Sequence, residues 1–177
     1  SDLATKLIEF QKEELYASDT HVASVEMNEY IRAFIEPFKG YTEKKNLQLT
    51  FEGTSTPLNA WIDRNKIDSI LHNLLSNALK YTPENGQICL TLEQNNDNWC
   101  LSISDTGIGI PTADQKKMFK QLFRGKNAVN QQIVGTGIGM IYTYRLVKRH
   151  FGQISMTSKE NEGTTFLLRF PLDNKKY

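Results

Sequence analysis

Apolar and polar residues alternate along this chain with two different periods, and the switches between them mark out its elements. Helical spacing comes first: in "LATKLIEFQKEEL", residues 3–15, Leu3, Leu7, Ile8 and Leu15 fall near one face with charges between them. A short strand is predicted near "VASVEMN", then a helix from Asn28 to about Lys45 with Tyr30, Ile31, Phe34, Ile35 and Phe38 on its apolar side. Pro37 has no amide hydrogen and crowds the preceding turn, so that helix should kink there. Strand period takes over in "LQLTFEG" (47–53) and "LNAWID" (58–63), joined by a turn around Ser55 and Pro57. From Asp63, a residue suited to N-capping, a helix runs to Tyr81 and is stopped by Thr82, Pro83 and Gly86.

Alternation returns in "QICLTLEQ" and "WCLSIS", and the turn sequence "NNDN" between them predicts a hairpin. The last third reads as a helical piece near Gln115 to Leu122, a polar stretch, a helix from about Gly137 to His150 that buries Ile141, Tyr144, Leu146 and Val147, and strands in "QISMTS" and "TTFLLRF". Strands and helices are mixed and the final strands are adjacent. That order predicts an antiparallel or mixed sheet covered by helices on one face, a two-layer α/β sandwich.

Composition narrows the class. The chain has 177 residues, 39% hydrophobic and 23% charged, with a formal net charge of +1. This suits one globular domain and argues against a disordered tail or a basic module that coats nucleic acid. No apolar run approaches the roughly 18 residues that cross a bilayer, and the N-terminus lacks a secretion signal, so a cytoplasmic chain without membrane contact is expected. Cys89 and Cys100 lie in neighbouring predicted strands. They leave two readings, a disulfide or two reduced core thiols, and the second carries more weight.

Three stretches carry candidate chemistry. On the helix of residues 63–81, Ile67, Ile70, Leu71, Leu74, Leu75 and Ala78 form the apolar stripe, while Asn73, Asn77 and Lys80 share a flank. An amide oxygen can ligate Mg²⁺ without adding negative charge beside phosphates, and a lysine meets phosphate as a point charge; a solvated polar face is the plain alternative. In "ISDTGIGIPT" (103–112), Trp99, Leu101 and Ile103 alternate inward until the strand ends at Asp105. A carboxylate there needs a donor, and the exocyclic amine of adenine is one, with Gly107 and Gly109 letting the backbone approach a flat base. An ordinary turn is the competing reading. "GTGIGM" (135–140) sets Gly135, Gly137 and Gly139 at alternate positions before a helix, which suits a phosphate cradle of bare amides. Between them, residues 112–134 are rich in Lys, Gln and Asn, with Met118, Phe119, Leu122 and Phe123 as apolar anchors, and read as a lid bearing Arg124 and Lys126.

Taken in order, these pieces resemble the catalytic ATP-binding domain of sensor histidine kinases, in the wider Bergerat-fold family that includes gyrase, a heat-shock chaperone ATPase, the mismatch-repair ATPases and anti-sigma serine kinases. "HNLLSNALKYTP" looks like the asparagine box, "DTGIGIP" the first glycine box, "MFKQLFRG" the phenylalanine box, "GTGIGM" the second glycine box and "EGTTF" the closing threonine motif. The resemblance implies a mixed five-stranded sheet backed by three helices, with an ATP lid. It implies Asn77 as the Mg²⁺ ligand, with Asn73, Lys80 and Tyr81 around the phosphates and base. Asp105 would meet the adenine amine beside Gly107 and Gly109, with Thr164 supporting it, and Arg124 would assist at the terminal phosphate. The box from Gly135 through Thr136, Gly137, Ile138 and Gly139 to Met140 would bracket the phosphates, so Asn73, Lys80 and Arg124 are the expected catalytic set.

Residues 1–17 are similar to the tail of a dimerisation and phosphoacceptor helical hairpin, which leaves 18–177 as the catalytic domain. Three departures stand out: Leu122 for a second aromatic, Met140 for a common leucine, and Phe151 inside a usual His-Gly-Gly. ATP-hydrolysing relatives carry a glutamate where this chain has Asn73, and an amide cannot serve as a general base. The pocket therefore suits delivery of phosphate to a nucleophile from another segment. None of His21, His72 and His150 is followed by an acidic residue, so the acceptor histidine is expected outside this sequence; His150, at a helix C-terminus, is placed where a partial positive charge is tolerated. The implied partners are the parent's own dimerisation domain, within a homodimer, and a receiver domain downstream in a phosphorelay, with the parent anchored in a bacterial inner membrane. An anti-sigma type serine kinase and a nucleotide-gated adaptor are the alternatives.

Overall fold

Alternation decides the main sheet. We describe the chain from a computed structural model, which covers residues 20–119, 138–173 and 175. Strands β2 (Gln48–Glu52), β4 (Gln87–Asn95), β5 (Asn98–Asp105), β6 (Gln153–Lys159) and β7 (Gly163–Pro171) form a five-stranded sheet in the order β2-β4-β5-β7-β6. The β2–β4 pair is parallel and the other three pairs are antiparallel, so the sheet is mixed as expected. Ile88, Leu90 and Leu92, Trp99, Leu101 and Ile103, and Phe166, Leu168 and Phe170 occupy alternate positions on β4, β5 and β7, and all are buried. Trp99 stacks on Phe170 with ring centroids 4.7 Å apart.

Helices cover that face. α1 (Met27–Ile35) ends in a 3₁₀ turn at Glu36–Phe38, and α2 (Lys39–Lys44) resumes beyond it, so Pro37 breaks the predicted helix where its ring forbids a continuous ladder. α3 (Arg64–Tyr81) starts at Asp63, whose carboxylate accepts the Lys66 amide, and buries Ile67, Ile70, Leu71, Leu74, Leu75 and Ala78 as its stripe predicts. α4 (Thr112–Gln115) is a single turn, and α5 (Gly139–Arg149) packs beside α3. The core joins α1, α3 and α5 to the inner sheet face.

Two findings differ from the sequence reading. β2 and β3 (Asn59–Ile62) follow one another but belong to different sheets, since β3 pairs antiparallel with β1 (Ala23–Glu26). α5 buries Met140, Thr143, Leu146 and Val147, whereas Ile141 and Tyr144 are only half-buried. Tyr144 turns instead toward Phe119, at 5.7 Å between ring centroids. Cys89 and Cys100 are free thiols; Cys89 lies opposite Ser104 and Cys100 opposite Glu93, so the register keeps them apart. No described helix is long and apolar enough to cross a membrane.

Candidate nucleotide site

Strand parity carries a carboxylate to the helix side of the sheet. Trp99, Leu101, Ile103 and Asp105 share one face of β5, so the last of them ends the apolar row with a charge. Across the register Asp105 faces Thr164 on β7, and Thr164 faces Ser158 on β6, which sets three polar side chains in a row over adjacent strands. The Gly107 amide donates to Asp105 Oδ1 at 2.8 Å. Burial drives the Asp105 carboxyl up to about 6, while the Gly107 and Thr164 backbone hydrogen bonds pull it back. At neutral pH it is mostly ionised and able to accept from a ligand.

The loop after Asp105 is tied at both ends. The Ile108 amide donates to the Tyr81 carbonyl at 3.1 Å, at the end of α3, and the Asn161 amide donates to the Ile108 carbonyl at 2.8 Å, from the β6–β7 turn. Gly107 is needed because a Cβ would come within 2.7 Å of both Asp105 Oδ1 and the Tyr81 carbonyl oxygen. Gly109 sits at φ +63°, where a side chain would overlap the Lys159 carbonyl. Both glycines of the first box are thus fixed by steric necessity, Gly107 against the carboxylate and Gly109 against the β6–β7 turn.

Two residues outside the sequence-based set complete this corner. The Ser158 hydroxyl donates to the Gly163 carbonyl at 2.9 Å, lies 2.8 Å from the Thr164 hydroxyl and accepts the Ile110 amide at 2.8 Å. Gly163, at φ +120°, lets β7 start hard against the Asp105 carbonyl. The parity of Ile154, Met156 and Ser158 could have revealed the serine. Nothing local in the sequence marks the glycine's contact with Asp105.

The opposite wall is the flank of α3. Asn73 donates from Nδ2 to Thr143 Oγ1 at 2.6 Å, and Nδ2 of Asn73 and of Asn77 lie 3.9 and 3.6 Å from Met140 Sδ on α5. Asn73 Oδ1 rests against Gly139, whose missing side chain makes the room. Lys80 Nζ lies 4.5 Å above the Tyr81 ring. The structure therefore joins Asn73 and Asn77 to Gly139 and Met140 on one wall, with Ile138 buried beside them, and joins Asp105, Gly107, Gly109 and Thr164 at the other corner next to Tyr81. Arg124, Gly135, Thr136 and Gly137 lie outside the described residues, as does the lid beyond Phe119.

The donor set fits a cation that arrives with phosphates. Among the described residues no cluster of three or more His, Cys, Asp or Glu side chains could hold a metal by itself. Two neutral amides beside a helix start suit Mg²⁺, which keeps few protein ligands and shares substrate phosphate oxygens. His150 corrects a sequence expectation: it is fully buried, and burial lowers it to about 4, with Asp63 acting against that and Lys66 with it, so it is neutral at pH 7.

Comparisons with known proteins agree with this geometry. The family model described as "Histidine kinase-, DNA gyrase B-, and HSP90-like ATPase" matches residues 62–174. Histidine kinase P4 of Formosa agariphila is 30% identical over 173 residues, covering 96% of this chain and 13% of the relative, so this chain spans a small part of that protein. The nucleotide-free catalytic domain of histidine kinase ThkA is 29% identical with a TM-score of 0.74, covering 86% of this chain and 96% of that one. ThkA in complex with response regulator protein TrrA superposes with a TM-score of 0.75 at 24% identity, covering 99% of this chain and 49% of that one, a likeness of fold.

Proposed function

Because this chain belongs to the histidine kinase-, DNA gyrase B- and HSP90-like ATPase family, we propose that it binds Mg-ATP and delivers the γ-phosphoryl group to a histidine on a dimerisation domain. It is the ATP-binding catalytic domain of a histidine kinase, the kind of protein its relatives are. The observation that carries the nucleotide reading is the ionisable carboxylate of Asp105, desolvated at the end of a buried strand and fixed by the Gly107 amide. A hydrogen-bond donor on a flat ring, such as the adenine amine, would stabilise that charge better than water excluded by the same ring.

Each residue then has a role. Asp105 accepts from the base, with Thr164 and Ser158 holding the floor and Gly107 and Gly109 clearing it. Asn77 supplies an oxygen to Mg²⁺, while Asn73, Lys80 and Tyr81 line the phosphates and base; Ile138, Gly139 and Met140 continue a phosphate bracket that begins at Gly135, Thr136 and Gly137, and Arg124 meets the terminal phosphate. Bound Mg²⁺ would neutralise charge on the phosphate oxygens. With an amide at Asn73 in place of a carboxylate, the pocket holds no proton acceptor for water there, which favours transfer over hydrolysis.

Residues 18–177 form the proposed catalytic unit. Residues 1–17, proposed as the tail of a phosphoacceptor hairpin, fall outside the described residues. The proposed partners are that hairpin within a homodimeric parent and a receiver domain, in line with the ThkA complex; cytoplasmic placement beneath an inner-membrane parent belongs to the same proposal. Calorimetry with Mg-ADP tests the reading: wild type should release adenine-dependent heat and Asp105→Asn should bind at least tenfold more weakly. Undiminished binding by that variant would refute it.

A further inference from the structure

Thr143 is fully buried on α5 in line with Met140, Leu146 and Val147, an apolar stripe in which a hydroxyl must find a partner. Its partner is a site residue: Asn73 Nδ2, at 2.6 Å. Met140 adds a second constraint. Its thioether sulfur can only accept, and it lies toward the Nδ2 atoms of both Asn73 and Asn77. A carboxamide carries its oxygen and its NH₂ group on opposite branches. Anchoring NH₂ on the sulfur therefore turns the oxygen away from it; Asn73 Oδ1 lies against Gly139, the residue before Met140.

We propose that Met140 and Thr143 are positioning residues: the sulfur, which can only accept, holds the NH₂ end of Asn77 on α5 and leaves its oxygen, and not its N–H groups, toward the phosphate-bound cation, while the Thr143 hydroxyl anchors the neighbouring Asn73 amide. This rests on the proposed reading that a nucleotide and its Mg²⁺ occupy this wall. An amide free to rotate would offer N–H to the cation half of the time, and the cation would be repelled by it. A leucine at position 140 would fill the same space but state no preference between the two ends of the amide. The pair thus acts on metal affinity through orientation, as outer partners of ligating side chains commonly do.

The readout is a ratio, the Kd for ADP in excess EDTA divided by the Kd for ADP with saturating Mg²⁺, measured by calorimetry. Thr143→Val, which frees Asn73 but leaves the Met140–Asn77 contact in place, should lower this ratio by only about threefold, and Thr143→Ser should restore the ratio. Met140→Leu, a volume-conserving change that keeps the core filled, should lower the ratio roughly tenfold, the larger loss because the sulfur alone faces Asn77, and it still reads the proposal if Thr143→Val does not fold. The side-chain amide resonances of Asn73 should move in Thr143→Val and return in Thr143→Ser. A wild-type ratio retained in both Thr143→Val and Met140→Leu, or an equal loss of metal-free and Mg-bound affinity, would overturn the proposal and leave the nucleotide reading intact. A wild-type ratio near one would instead remove the metal reading on which it stands.

Discussion

Phe151 shows what a single departure costs. It follows α5 with φ +54°, in the left-handed region, and its amide donates to the Lys148 carbonyl at 3.0 Å as a helix-closing residue does. Glycine adopts this conformation without a Cβ clash, whereas a bulky residue pays about 1–2 kcal/mol. Phe151 is 46% exposed. Phe151→Gly should therefore stabilise the domain by about 1 kcal/mol, less the added entropy of glycine in the unfolded chain. Urea unfolding checks the sign: a higher midpoint with an unchanged slope is expected, and a lower midpoint would mean that the ring makes a contact worth more than the backbone strain.

At the scale of the element, α3 depends on a partner that its own sequence does not disclose. Its C-terminal carbonyls meet Lys45, whose Nζ donates to the Leu79 carbonyl at 2.7 Å and to the Thr82 carbonyl at 2.6 Å. Helix ends leave such carbonyls without intrahelical donors, and a cation there also opposes the helix dipole. Removing the ammonium in Lys45→Met keeps the stem and should cost about 1–2 kcal/mol, read as a lower urea midpoint. The same change should weaken ADP binding slightly, because Tyr81, between those carbonyls, anchors the Gly107 loop. The contrast with what the sequence discloses is instructive. The Asp63 cap, the apolar stripe of α3, the Pro37 break and the inward parity that ends at Asp105 are local, so periodicity and capping rules reveal them. Lys45 capping a helix some 34 residues away, β3 leaving the main sheet for β1, and Thr143 reaching Asn73 are not local. Each depends on which elements tertiary packing brings together, and a single sequence carries no direct signal of that. The buried face of α5 falls between: its apolar residues surround the helix, so the pattern alone does not separate the buried Thr143, which meets Asn73, from the Tyr144 that meets Phe119.

Across the whole molecule, two buried groups pull the pH dependence of stability in opposite directions. Asp105 rises from 3.8 in a free side chain to about 6 in the fold, chiefly because burial disfavours its charge. The folded state then binds the proton more tightly than the unfolded one, so this contribution is full below about pH 3.8 and is lost as pH climbs to about 6. His150 moves from 6.5 to about 4, again chiefly by burial. Here the unfolded state binds the proton more tightly, so stability is lost as pH falls from about 6.5 to about 4. Each displacement is of order 3 kcal/mol at most, and the two windows overlap almost completely. Glu26 adds a separate acid-side loss: burial raises it, but hydrogen bonds from the Glu29, Leu58 and Asn28 amides and the Asn28 side chain outweigh that and hold it at about 2, against 4.5 when free. That loss starts below about pH 4.5, so the range from there to pH 6 isolates the opposed pair. In that range wild-type stability should change by less than about 1 kcal/mol, because the two slopes cancel. Asp105→Asn should unmask the histidine, and its stability should climb with pH by about 2 kcal/mol across the same range. His150→Leu should unmask the carboxylate and give a slope of opposite sign, whatever the cost of the substitution itself. At pH 7.5 Asp105→Asn should also be the more stable protein by roughly 1–3 kcal/mol while binding nucleotide poorly, since the charge that the fold pays to bury is the one the base would meet. Urea midpoints measured at pH 4.5, 5.2 and 6.0 for the three proteins decide it, and parallel slopes would show that neither group titrates as its burial demands.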